Sequence, residues 1–84
     1  MTEDRETRIK RLKMRSMRRG IKEMDLILSQ YSARLDAMSD AQIDHYEILL
    51  DESDHDLYAW VSGAAETPLE YLDLITDISK HFKV

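Results

Sequence analysis

Arg19-Gly20-Ile21-Lys22-Glu23 brings a guanidinium, a residue without a side chain and a carboxylate within about one helical turn of sequence. An arginine presents a planar fork of N–H donors that suits a carboxylate, a phosphate or a carbonyl. A glutamate accepts hydrogen bonds from a facing backbone or side chain. Glycine removes a Cβ, so another backbone can approach closely. This chemistry is recognition rather than bond making. Local rules also allow a plainer account, a glycine helix stop followed by a charged first turn. On the recognition reading, Arg19, Gly20 and Glu23 contact a partner, flanked by Arg18, Ile21, Lys22 and Met24.

Other groups that could do chemistry do not converge. There is no cysteine, which removes disulfides, thiolate zinc sites and thiol nucleophiles. His55 lies among Asp51, Glu52, Asp54 and Asp56, but a calcium loop starting at Asp51 needs glycine sixth and glutamate twelfth, where Asp56 and Ser62 stand. The acids read as solvated loop and helix-start residues, and no metal or catalytic residue is expected. Helical spacing puts Trp60, Tyr31, Tyr46 and Tyr71 on core-facing stripes and leaves Tyr58 outside. Met14, Met17 and Met24 near the Arg19–Glu23 segment suit either core filling or adaptable contact.

The 84 residues make one small domain, with no room for both a core and a ligand cavity of roughly 300 Å³ or more, which counts against a free-standing enzyme. Residues 1–24 carry nine Lys/Arg and four Asp/Glu, whereas residues 25–84 carry three and thirteen. Such asymmetry steers and orients a partner's approach. The basic end could touch phosphates, but the acidic body opposes nucleic acid, and no recognised reading motif is present. No apolar run nears the ~18 residues of a membrane span. The charged N-terminus carries Glu3, Asp4 and Glu6 and lacks an apolar signal core. The expectation is a bacterial cytoplasmic protein with no membrane insertion and no nucleic-acid partner, monomeric when free.

The positioning elements read as helices throughout. The fold class is all-α, a compact single domain of five short helices over 1–84, with residues 1–5 expected to be disordered. The first helix spans about residues 6–17, with Ile9, Leu12 and Met17 as a thin apolar stripe, and Gly20 supplies a positive-φ stop. The second spans about 21–36, with Met24, Ile27, Leu28, Tyr31 and Leu35 on one face. Ser39 and Gln42 form a capping box before Ile43, Tyr46 and Leu50. Ser53 caps the fourth helix, whose stripe is Leu57, Trp60, Val61 and Ala64, with Gly63 near its end. Thr67, Pro68 and Glu70 read as cap, first helical residue and box for a fifth helix with Tyr71, Leu74, Ile75, Ile78 and Phe82 on one face.

The segment Arg18-Arg19-Gly20-Ile21-Lys22-Glu23-Met24-Asp25 resembles the RGxxE signature of the succinate dehydrogenase FAD-assembly (flavinylation) factors, the SdhE-like family. Met38-Ser39-Asp40, Leu49-Leu50-Asp51-Glu52 and Asp54-His55-Asp56-Leu57-Tyr58-Ala59-Trp60 also resemble the family's segments. Met38 and Val61 stand where the family often has leucine. The resemblance implies a non-enzymatic, five-helix assembly factor. It would bind the flavoprotein subunit of succinate dehydrogenase, and in some members that of fumarate reductase, and promote covalent attachment of FAD there. FAD would be the partner's cofactor, not stably bound by this chain. By the same resemblance Arg19, Gly20 and Glu23 would face the flavoprotein near its flavin. The alternative is a helical adaptor for a different partner.

Overall fold

Five α-helices and two short 3-10 segments follow one another in the computed structural model, which describes residues 3–81. They are α1 (Arg5–Arg15), α2 (Lys22–Tyr31), α3 (Asp40–Leu49), α4 (Asp54–Ser62) and α5 (Leu72–His81). The 3-10 segments are Ser32–Ala37 after α2 and Leu69–Tyr71 before α5. No strand occurs among the described residues. The helices bury one continuous core that runs from Ile9 and Leu12 through Met24, Leu28, Leu35, Tyr46, Leu49 and Leu57 to Ile75 and Ile78. Each helix offers the core a stripe at three- and four-residue spacing, because that is how an α-helix stacks side chains on one face.

Caps set several boundaries. The Asp4 carboxylate accepts from the Thr7 N–H at 2.7 Å and starts α1, and that bond holds the carboxyl below its ordinary range. Asp4 is therefore the N-cap of α1 and Arg5 its first residue, where disorder was expected through residue 5. Met1 and Thr2 lie outside the described residues. The Ser39–Gln42 capping box is formed in both directions. Ser53 accepts from the Asp56 N–H, and Gly63 ends α4 at φ +83°.

Four expectations fail for local or tertiary reasons. Met17 is exposed, because α1 stops at Arg15. The second helix tightens to 3-10 geometry at Ser32, whose hydroxyl bonds the Ser29 carbonyl and competes with the backbone ladder. Ala64 falls beyond Gly63 and is exposed. Thr67 caps nothing: Pro68 keeps an extended ψ of 145° before the 3-10 turn, and α5 begins only at Leu72. Tyr71 explains that delay. It is buried with its hydroxyl donating to Glu52 at 2.8 Å, and its ring lies against His45 and Trp60 at centroid distances of 5.7 and 5.6 Å. These contacts fix position 71 more firmly than a capping box could. Phe82 lies outside the described residues.

Candidate functional site

The corner between α1 and α2 starts from a buried hydroxyl pair. Ser16 follows α1, fully buried, and its hydroxyl donates to the Leu12 carbonyl at 2.8 Å. With that proton committed, the Tyr46 hydroxyl 2.6 Å away is the donor to Ser16 Oγ. Burial pushes the Tyr46 phenol up to about 12, so it stays protonated. The end of α1 is thus anchored to the middle of α3.

Beyond the anchor the chain reverses at Arg18, not at Gly20. Arg18 has φ +56°, the left-handed region that costs an ordinary residue about 1 kcal/mol or more, and Gly20 does not adopt a positive φ. The glycine is needed for a different reason. Its N–H donates to Asp54 Oδ2, and a Cβ built on it would stand 3.1 Å from that oxygen. The bare face of Gly20 therefore accommodates this chain's own carboxylate.

Arg19 is also turned inward. Its Nε donates to Asp54 Oδ1 at 2.7 Å, Nη1 to the Arg15 carbonyl at 3.0 Å and Nη2 to the Leu50 carbonyl at 3.2 Å. The Arg15 and Leu50 carbonyls lie at the C-terminal ends of α1 and α3, and Asp54 opens α4. A cation at two helix C-termini and an anion at a helix N-terminus are each favoured by the helix dipoles. The Arg19 side chain is 12% exposed and that of Asp54 16%. The fork expected to meet a partner is thus already occupied.

The flanking residues divide in the same way. Met24 is fully buried and so is not a surface contact, while Ile21 is partly buried against the core. Arg18, Gly20, Lys22 and Glu23 are exposed, and the Glu23 side chain makes no hydrogen bond or ion pair among the described residues. Met14 and Met17 are exposed, and so is Leu26, one turn beyond Glu23 on α2. The outward surface at this corner is therefore Glu23 with Lys22 and Arg18, bordered by apolar side chains. Sequence reasoning assigned Asp54 only to a helix start. Its partners lie 34 and 35 positions away, a distance that no local spacing rule spans.

The basic N-terminus is neutralised against the acidic body. Arg5 pairs with Asp40, Arg8 with Asp44 and Glu47, Arg11 with Glu3 and Glu47, Lys13 with Asp36 and Arg15 with Asp51. Arg8 holds the Glu47 carboxyl below its ordinary range, and Arg11 does the same for Glu3. A helix whose guanidiniums are taken by carboxylates is a poor phosphate stripe.

Contrary to the expectation that no cavity of roughly 300 Å³ would fit beside the core, a cleft of about 460 Å³ lies elsewhere, open on one side and lined in part by Tyr31, Arg34, His45, Asp73 and Asp77. Among the described residues no group of three or more His, Asp or Glu side chains could hold a metal ion. None of the described helices is long and apolar enough to cross a membrane.

A small all-helical module with an exposed, mixed-charge corner between α1 and α2 is the class that fold and geometry define. Residues 10–82 match the family described as flavinator of succinate dehydrogenase. The chain belongs to that Sdh5 family of assembly factors. It is 49% identical over 69 residues to succinate dehydrogenase assembly factor 2, mitochondrial, of Meyerozyma guilliermondii, covering 80% of this chain and 51% of that protein. The Schizosaccharomyces pombe protein of the same name is 40% identical over 67 residues, covering 79% and 48%. The FAD assembly factor SdhE of Legionella pneumophila is 36% identical over 62 residues, covering 73% of this chain and 78% of that protein. The chain spans about half the length of these two fungal relatives.

Proposed function

We propose that this protein binds the flavoprotein subunit of succinate dehydrogenase and promotes covalent attachment of FAD to it, with fumarate reductase flavoprotein as a second client. The observation that carries the proposal is the family match across residues 10–82, nearly the whole chain. The exposed corner supplies a place for the contact. Glu23, Lys22 and Arg18 offer charge of both signs, and Met14, Met17 and Leu26 offer adaptable apolar surface beside them. The chemistry of attachment belongs to the flavin and the client. This chain contributes binding energy that holds the client in a reactive arrangement, which is catalysis by orientation.

On this reading FAD stays with the partner, nucleic acid is not bound and the free protein is a monomer. Its place is the bacterial cytoplasm, where the client folds.

The test is covalent flavin on the flavoprotein subunit, measured by mass spectrometry in a strain lacking this protein and after complementation. The expected result is loss of covalent flavin and its recovery with the wild-type chain. Complementation by Glu23→Ala should fall short although its helices remain intact by circular dichroism. Unchanged covalent flavin in the deletion strain would instead favour a helical adaptor with a different partner.

A further inference from the structure

We propose that Asp54 is a positioning residue for the docking corner, acting through Gly20 and Arg19 on the placement of Glu23; this rests on the assembly-factor reading above. The carboxylate divides its two oxygens between two donors of the corner. Oδ1 takes the Arg19 Nε–H, and Oδ2 takes the Gly20 N–H. A side chain at Gly20 would press on that carboxylate, with its Cβ 3.1 Å from Oδ2. The arginine, the glycine and the aspartate therefore form one device, and the device faces inward.

The output of the device is the first turn of α2. That helix opens at Ile21 in an extended conformation with no side-chain cap. Its start is not held by the usual local hydrogen bond. The link immediately before it, Arg19-Gly20, is held by Asp54, which stands on the first turn of α4 behind the Ser53 cap. Glu23, the second residue of α2, is thereby aimed from α4 across a gap of 31 residues in sequence. A contact residue whose supporting shell is loose loses affinity even though its own chemistry is intact.

Asp54→Asn isolates the claim. The amide keeps the size of the side chain but offers one oxygen instead of two, and it turns an N–H2 toward either Arg19 Nε or the Gly20 N–H. One donor must face another, and the corner loosens. The affinity of purified flavoprotein subunit is measured for the wild type, Asp54→Asn, Glu23→Ala and the double variant, with amide exchange followed at residues 19–23. The expected results are a native circular dichroism spectrum, faster exchange at residues 19–21 and affinity reduced about tenfold in Asp54→Asn. The double variant should be no weaker than the weaker single, because a displaced Glu23 has little left to lose. Fully additive losses would reduce Asp54 to a general stabiliser and overturn the positioning role. Wild-type affinity in Asp54→Asn beside a weakened Glu23→Ala would overturn it alone, whereas wild-type affinity in Glu23→Ala would overturn the docking reading itself. Should Asp54→Asn unfold, Asp54→Glu keeps both acceptors, moves them by one methylene and serves in the same cycle.

Discussion

Arginine–carboxylate pairs tie α1 and its exit to the rest of this molecule in two places, and water reaches the two very differently. Along α1, Arg5, Arg8, Arg11, Lys13 and Arg15 meet acids whose side chains are 28–83% exposed. At the corner, Arg19 and Asp54 are both nearly enclosed, and each also bonds backbone groups. The seam is a row of weak, solvent-exposed pairs, of which only those of Arg8 and Arg11 are joined, through Glu47. The corner is one unit in which every donor is aimed at a helix end. Similar groups at similar distances thus yield orientation of a helix in one place and long-range charge matching in the other.

Removing one partner should separate the two most clearly. Arg19→Ala leaves Asp54 half-satisfied in an enclosed site and uncovers the Arg15 and Leu50 carbonyls. A loss of about 2–4 kcal/mol is expected in urea denaturation, at or below the usual range for breaking a buried pair because some exposure remains. Gly20→Ala comes next. The added methyl sits 3.1 Å from Asp54 Oδ2, and its relief by a small shift of the carboxylate should cost about 1 kcal/mol in the same assay. Stability equal to wild type in either variant would dissolve the distinction between corner and seam.

The seam should respond more weakly. Arg8→Ala removes hydrogen bonds to Glu47 and Asp44 yet should cost only about 0.5–1 kcal/mol. At about 1 M salt, where the screening length shortens to roughly 3 Å, that difference should shrink while the Arg19→Ala difference persists. Acid makes the smallest and most graded change. The folded-state pKa values of Glu3 and Glu47 lie below the ordinary 4.5, so their contribution is present at neutral pH. It disappears as pH falls from that value through the lowered folded-state ones. Thermal midpoints measured from about pH 6 to about pH 3 should decline, and Arg8→Ala should decline less than wild type. Parallel curves would show that the seam carries no linkage.

Much of this architecture is written locally. Ser39 with Gln42, Ser53 and Gly63 each specify a helix end through a hydrogen bond or a φ angle reached within three residues, and all three read correctly from sequence alone. The buried stripes of α2 and α3 follow from helical period in the same way. The misreadings share a cause. Thr67-Pro68 has the composition of a helix start, but the buried Tyr71 ring imposes its own position from outside the segment. Gly20 has the composition of a helix stop, but a carboxylate 34 residues away is what requires it. At the candidate site, the exposure of Glu23 and Lys22 was legible in the α2 pattern. The inward turn of Arg19 was not, because a guanidinium's choice among three acceptors on α1, α3 and α4 is a property of the packed chain.

Arg18 bends through left-handed space on the exposed rim of the corner, where a glycine would fit without steric strain. Keeping a cation there sets durability against charge display. A chain shaped for hardiness alone would place glycine at 18, and this one keeps an arginine whose backbone discomfort leaves a positive group standing beside Glu23's helix.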